Sequence, residues 1–460
     1  MNVLDPTFIS RLQFAFTITF HILYPAFSIG LVSFIAIMEA CWLKTHHIVY
    51  YNICRFFTKL FALTFGMGVV SGIVMEFQIG TNWSGMSMAA GDILGTLFTY
   101  EVMTAFFVEA GFLGVLLFGW NRVSPKLHFI ATCLVTFGVI LSALWILIAN
   151  TWMQHPIGYH IFENKLVSDN WYHILFNPML IPRFLHMILS SYIATACAIA
   201  SIGAYYILTN QHPKISKKIF KFSLVAMMIL TPTQVLIGDW VGLKIHEYQP
   251  IKSAAMEGVW ETSASVPYLI FAIPDQKAQK NHYELKVPYM ASLINTHHLD
   301  GVLTGLKSVS PEKQPPVSAV FFSFRIMLYA GFLMLFISML SAYYYYKDTL
   351  FKQKWLLKIW LLMAPMGFIA METGWITAES GRQPWVIYNV ITTSEAASNI
   401  DIYQVTASFI MLFIVYVIIF GFFYFKYLFE TIKLGPKKFN DDEIILPFGY
   451  MKTNERKHIQ

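Results

Sequence analysis

Charge is what this chain has least of. Only 13% of its 460 residues are Asp, Glu, Lys or Arg, about half the roughly 25% typical of a soluble domain, which excludes an ordinary water-soluble fold. The net charge of +6 is scattered between apolar runs, so it builds no surface for nucleic acid. Cysteine is scarce too. Cys41, Cys54, Cys133 and Cys197 form no C-x-x-C pair and lack the C-x-x-C-H of covalent haem attachment. Two of them lie in apolar runs, so reduced thiols are expected and no disulfide framework. The first residues, MNVLDPTFIS, include no basic n-region, and the first apolar run is expected to be retained rather than cleaved. Internal repeats at solenoid period and low-complexity tracts are also missing.

What fills the chain is apolar: 56% of residues are hydrophobic and the mean hydropathy is +0.55. A run of about 20 apolar residues spans a bilayer. Nine such runs lie near 13–38, 57–79, 93–119, 128–149, 180–208, 219–242, 317–344, 355–378 and 404–428. Runs of this length without frequent turns are helices rather than barrel strands. The expected fold is therefore all-α, a polytopic membrane protein with nine transmembrane helices.

Counting Lys and Arg in the short loops gives an orientation. Lys44 and Arg55 follow run 1, Arg122 and Lys126 follow run 3, and Lys214, Lys217 and Lys218 follow run 5. Lys347, Lys352 and Lys354 follow run 7, and Lys433, Lys437 and Lys438 follow run 9. The alternate loops hold few: none in TNWSGMSMAAGD, Lys165 after run 4, and Arg382 after run 8. The N-terminus is expected outside and the C-terminus in the cytoplasm. The chain then divides into helices 1–6 over 1–242, an outward loop over 243–316, helices 7–9 over 317–430 and a cytoplasmic tail over 431–460. The outward loop, with prolines and charges of both signs, is too long for a simple connector.

Several ionisable or soft residues sit inside these runs: His21, His186, Arg325 with Met327, Glu101 with Glu109, and Glu372 with Glu379. Each buried charge costs roughly 2.5–3.5 kcal/mol on insertion scales, so four glutamates cost on the order of 10–14 kcal/mol, comparable to a domain's whole stability. Metal, haem or proton transfer would offset that. Singly, each has a bland reading: a hydrogen-bonded interhelix histidine, a gap-filling methionine, or a Glu379 that snorkels to pair with Arg382. Depth adds more. With the orientation above, His21, His186, Met327 and Glu379 fall in the outer half of the bilayer. Soft and imidazole side chains at one depth, without a cysteine set, suit haem iron better than a hard cation. Glu101 and Glu109 are about 80° apart round an α-helix and ~12 Å along it. They step inward from that layer like a proton route.

At these residues the sequence resembles subunit I of the cytochrome bd family of quinol oxidases. The motifs RLQFAFTITFH, GTNWSGMSMAAGDILGTLFTYE, IANTWMQHP and AESGRQPW occur in order. The resemblance implies that His186 and Met327 are the axial pair of a low-spin b haem, a ligation that raises the potential. It implies that His21 and Glu379 are single ligands of two further haems, of b and d type, with the d position left open. It places Glu101, Glu109, Ser142 and Asn150 on a proton path, and Arg325 and Arg382 near haem. Lys252 and Glu257 match quinol-binding positions, and Glu257 suits a base for the quinol hydroxyl. The loop is short for the family. Some short-loop relatives lack a clear haem d, so the cofactors expected are two b-type haems and either one haem d or a third b-type haem.

The last helical turns of run 8 fit this reading. Gly381 suits a helix C-cap, Pro384 forbids continuation, and Trp375, one turn before Glu379, shares its face. Arg382 would balance carboxylate charge. The implied activity is quinol oxidation at the outer loop and reduction of dioxygen to water with cytoplasmic protons. The implied partners are a second transmembrane oxidase subunit, with small accessory subunits, in the bacterial cytoplasmic membrane. The rival is a proton-coupled secondary transporter without haem. Such transporters show inverted repeats and broken helices at the midplane, neither of which is visible in this sequence. A cytochrome that only passes electrons onward would leave Glu379 and the glutamate pair unused.

Overall fold

The computed structural model describes residues 5–436. The part of the expected tail from 437 onward, with Lys437 and Lys438, lies outside the described residues. Among the described residues, nine helices are long and apolar enough to cross a membrane, and each of the nine apolar runs lies within one of them. The first is α1 (Pro6–Thr45). It starts where the Asp5 carboxylate accepts from the Thr7 N–H at 3.0 Å and Pro6 occupies the first position, where no N–H is needed. It is followed by α2 (Ile48–Asn82) and α3 (Ser84–Asn121). Then comes α4 (Pro125–Gln154), capped by Ser124 in the same manner. A short hairpin of β1 (Tyr159–Phe162) and β2 (Lys165–Ser168) leads to α5 (Leu180–Leu208) and α6 (Pro213–Tyr248).

The segment between α6 and the next span is folded. It contains α7 (Pro250–Glu257), the antiparallel hairpin β3 (Tyr268–Asp275) and β4 (Lys280–Val287), and α8 (Met290–Thr296). The last three spans are α9 (Val317–Tyr346), α10 (Lys354–Ser380) and α11 (Ile402–Leu434).

With 40 residues, α1 is ~60 Å long, twice the ~30 Å hydrocarbon core, so helix ends project well beyond it. The chain reverses at every span. The start of α1, the end of α4, the start of α5, the end of α6, the start of α9 and the end of α10 therefore share one end of the bundle, with α7, β3, β4 and α8. This is the loop end. α1 and α5 are central, with 67% and 72% of their apolar windows buried, whereas α11 has 17% buried. Phe34 and Phe57 meet edge-on in the core between α1 and α2 with centroids 4.9 Å apart.

Three described spans depart from uniform α-helix, α11 through a π-helical segment at Tyr416–Phe423. In α10 the helix is interrupted at Ala364 and Pro365, where proline has no N–H to continue the ladder. In α3, residues Glu101–Phe106 form a π-helical segment, which alters the angle between the two glutamates. All four cysteines are free.

Candidate functional site

Ser71 on α2 decides the tautomer of His21. The Ser71 hydroxyl donates to the Met67 carbonyl at 2.9 Å, and His21 Nδ1 lies 2.9 Å from its oxygen. With the serine proton already given to the backbone, Nδ1 must carry the hydrogen, and Nε2 keeps the lone pair that a metal takes. The next residue, Gly72, faces the ring: a Cβ there would lie 3.3 Å from His21 Cε1.

A glycine facing the side chain recurs beside two further residues. His186 on α5 is held by the Gln234 amide of α6, with Nε2 3.1 Å from the ring Nδ1 and 3.0 Å from the His186 carbonyl. One turn on, a Cβ at Gly238 would lie 3.3 Å from His186 Cε1. On α9, Met327 faces Gly374 of α10, where a Cβ would come within 3.0 Å of the sulfur. Three glycines thus keep space beside three soft or imidazole side chains. No cluster of three His, Cys, Asp or Glu side chains suited to a bare metal ion occurs among the described residues. A porphyrin supplies four nitrogens of its own and asks only one or two ligands of the protein, so isolated ligands beside glycine-lined space fit haem.

Glu379, at the end of α10, accepts from Asn150 Nδ2 at 2.9 Å, Gln154 Nε2 at 3.2 Å and Arg382 Nη2 at 2.5 Å. Arg183 backs this group, donating to Asn150 Oδ1 at 2.5 Å and Thr151 Oγ1 at 2.7 Å. Arg382 keeps Nε and Nη1 buried without a partner among the described residues. Two orphaned donors on a buried guanidinium are costly and suit a carboxylate such as a haem propionate. Trp375 and Ile22, the residue after His21, both pack against the cluster of Ala26, Ala194 and Met371. Gly381 is not a left-handed cap, since its φ is −68°. Its bareness serves packing instead: a Cβ would lie 2.7 Å from Lys252 Cγ.

Lys252 and Glu257, both on α7, are almost fully buried and enter different networks. Lys252 Nζ donates to Gln154 Oε1 at 2.5 Å and Gln249 Oε1 at 2.7 Å. Gln154 therefore joins Lys252 to Glu379. Burial pushes the Lys252 ammonium well below the usual lysine range, with the Glu379 carboxylate acting the other way. Glu257 pairs with Arg325 of α9 at 3.0 Å. Arg325 also donates to the Met256 carbonyl at 2.5 Å and the Leu269 carbonyl at 2.9 Å. Its guanidinium lies 4.4 Å from the Phe321 ring centroid and 4.6 Å from that of Tyr268. Arg325 thus clamps the folded loop and orients Glu257.

Glu101 and Glu109 both face α4. The Ser142 hydroxyl donates to Glu101 Oε1 at 2.5 Å, and Glu109 Cγ would lie 2.7 Å from a Cβ at Gly138. Gly138 and Ser142 are one turn apart on one stripe of α4. The π segment accounts for this: its wider turns advance each residue through less angle than the α-helix does, which removes part of the expected ~80° offset. Glu109 Oε1 is buried with no partner among the described residues. On the side of α4 away from the loop end, Glu39 of α1 accepts from Thr132 at 2.7 Å and meets His128 at 2.6 Å.

Sequence reading did not single out Ser71, Gln154, Arg183, Gln234 or Glu39. Polar residues inside apolar runs were the available signal, most plainly Arg183 three residues before His186.

The chain matches the family model described as cytochrome bd terminal oxidase subunit I over residues 9–436. It is 34% identical over 447 residues to the cytochrome bd ubiquinol oxidase subunit 1 of Bacillus subtilis (strain 168), covering 95% of each chain. It is 32% identical to the cytochrome bd-II ubiquinol oxidase subunit 1 of Escherichia coli (strain K12), covering 88% of this chain and 92% of the other. The fold superposes on the bd oxidase of Geobacillus thermodenitrificans with a TM-score of 0.87 and 27% identity, covering 95% of this chain and 100% of that one. A match this long, with ligand-competent side chains beside glycine-lined space, places the chain in the cytochrome bd oxidase subunit I family.

Proposed function

We propose that the residues described above divide the work of a terminal quinol oxidase in the following way. His186 and Met327 hold a low-spin b haem, and His21 and Glu379 each hold one further haem. The cofactors are two b-type haems with one haem d or a third b-type haem, and together they supply the electron route from quinol to dioxygen. Glu257, fixed by Arg325, takes a proton from the quinol hydroxyl at the loop end, while Lys252 orients the quinol oxygen. Glu101 and Glu109, lined up on one stripe of α4, bring protons from the opposite end. The positive-inside count makes the loop end the outer face, so quinol protons leave outside and water-forming protons come from the cytoplasm. Turnover then separates charge without a pump. The observation that carries this reading is the bonded path from Lys252 through Gln154 to Glu379, which puts the quinol-side lysine and a ligand carboxylate in one network.

Family membership makes this a haem-containing quinol oxidase subunit that works with a second subunit, and it removes the transporter reading. Residence in the bacterial cytoplasmic membrane and association with small accessory subunits belong to the proposal. The test is a reduced-minus-oxidised spectrum, with and without carbon monoxide, on the chain co-expressed with its partner subunit. A far-red chlorin band beside b-type bands identifies haem d. Bands of b type only, with a carbon monoxide shift, identify the third b-type haem. Absence of haem overturns the proposal. Met327→Leu should remove the low-spin signal alone, and its retention would refute that ligand.

A further inference from the structure

The hairpin β3–β4 has an apolar face that this chain covers only in part, with the ring centroids of Phe271 and Phe322 of α9 6.4 Å apart. Phe271 and Leu285 are cross-strand partners and so share one face. Ile273 pairs with His282 beyond a register shift. With Ala272 buried between them, Phe271 and Ile273 stay on the exposed side of β3. The three are 47%, 58% and 44% exposed, in the order Phe271, Leu285, Ile273. The strand β3 is fastened along α9. The Ser318 hydroxyl donates to the Pro274 carbonyl at 3.0 Å, Arg325 Nε donates to the Leu269 carbonyl at 2.9 Å, and the Tyr329 hydroxyl donates to the Ile270 carbonyl. The hairpin therefore lies against α9, its base level with Tyr329 and its tip level with Ser318.

That attachment sets its depth. From Tyr329 to the last residue of α9, Tyr346, is about 17 residues, or ~26 Å at 1.5 Å per residue. The hydrocarbon core is ~30 Å thick. A helix whose far end reaches the opposite interface, where Tyr346 is followed by Lys347 and Asp348, holds Tyr329 no higher than the near edge of the hydrocarbon. Tilting the helix only lowers it. The base of the hairpin is carried to the same level. Below it the surface of α9 stays apolar, with Phe332, Leu333 and Phe336 exposed, so the hairpin face continues an exposed apolar surface. Charges on the hairpin are managed accordingly. Glu284 and Lys286, on either side of Leu285, pair with each other at 3.2 Å, and the polar residues Gln276, Lys277 and Gln279 gather at the tip, where Gln276 donates to the Pro315 carbonyl at 3.1 Å.

We infer that β3–β4 is seated in the bilayer leaflet at the loop end. Phe271, Ile273 and Leu285 meet the boundary between acyl chains and headgroups, as an amphipathic interfacial element does, and the tip stands in water. The inference is independent of the roles proposed for Glu257 and Lys252. It commits to lipid as the occupant rather than a protein subunit.

The test uses the complex with its second subunit, reconstituted in liposomes, with Cys41 and Cys133 replaced by Ser. Nitroxide labels are placed singly at Phe271→Cys, Leu285→Cys, Ala278→Cys at the tip and Phe332→Cys on α9. Relaxation by dissolved oxygen is compared with relaxation by a water-soluble nickel chelate. Labels at 271 and 285 are expected to favour oxygen, as the label at 332 does, while the label at 278 favours nickel. Nickel access at 271 and 285 equal to that at 278 would overturn the inference in favour of water. Protection from both reagents would overturn it in favour of a protein cover. Should a labelled chain fail to assemble, the unmodified complex decides by lipid-borne carbene photolabelling. Adducts within 268–287 support the seating, and adducts confined to α9 overturn it.

Discussion

At the scale of single residues, Gln154 is the side chain on which two proposed sites depend. It accepts from Lys252 and Gln249 and donates to Glu379, and it is buried. Gln154→Leu leaves a buried ammonium with one partner fewer and a carboxylate with one donor fewer, at about 1–3 kcal/mol for each unsatisfied group. The expected outcome is a raised quinol KM together with a changed carbon monoxide difference spectrum. A fall in thermal stability with both unaltered would make the residue merely structural. Lys252 gives a pH prediction. Its pKa is held well below the lysine range by burial, so as pH rises it becomes an amine, and loses its charge, before an exposed lysine near ~10.4 would. If the ammonium orients quinol, quinol KM should climb on that alkaline limb. Lys252→Arg, which stays charged, should flatten it. The check is kcat/KM measured across pH for both proteins.

At the scale of elements, the π segment of α3 does what a regular helix would not. It lets Glu101 and Glu109 face one stripe of α4, with Ser142 opposite the first and Gly138 opposite the second. Glu109→Gln should slow oxygen consumption while the haem bands stay. Gly138→Ala, whose Cβ would also press on the Glu109 backbone nitrogen at 3.2 Å, should slow it too. An unimpaired rate in Glu109→Gln would remove that carboxylate from the path. This pair also marks how far the sequence could be read. Nine spans were legible because length and apolarity alone dictate membrane helices, and the ligand candidates were legible because polar side chains are costly there. The π segment was not, since an apolar run carries no signal that separates i→i+5 from i→i+4 bonding. Nor was the role of Gly381, which packs against Lys252 instead of reversing the chain, because a close approach from α7 depends on tertiary contact. The same holds for Gly72, Gly238 and Gly374, whose neighbours come from other helices.

At the scale of the whole molecule, orientation decides what the chemistry accomplishes. The fold brings Lys252, Glu257, Glu379 and the β3–β4 hairpin to one end of the bundle, and it leaves the loop Lys347–Gln353 at the other. By the lysine and arginine counts the second end is expected in the cytoplasm. With that orientation, protons released from quinol and protons consumed by dioxygen lie on opposite sides of the membrane. If it were reversed, turnover would build the opposite gradient. The prediction is made with single cysteines at Ala278 on the hairpin tip and Asp348 after α9, in a background lacking Cys41 and Cys133. In spheroplasts, Ala278→Cys should react with a membrane-impermeant maleimide, and Asp348→Cys should react only after lysis. Labelling in the reverse order would invert the proposed direction of proton flow while leaving the ligand assignments untouched, because those rest on contacts within the bundle rather than on which way it faces.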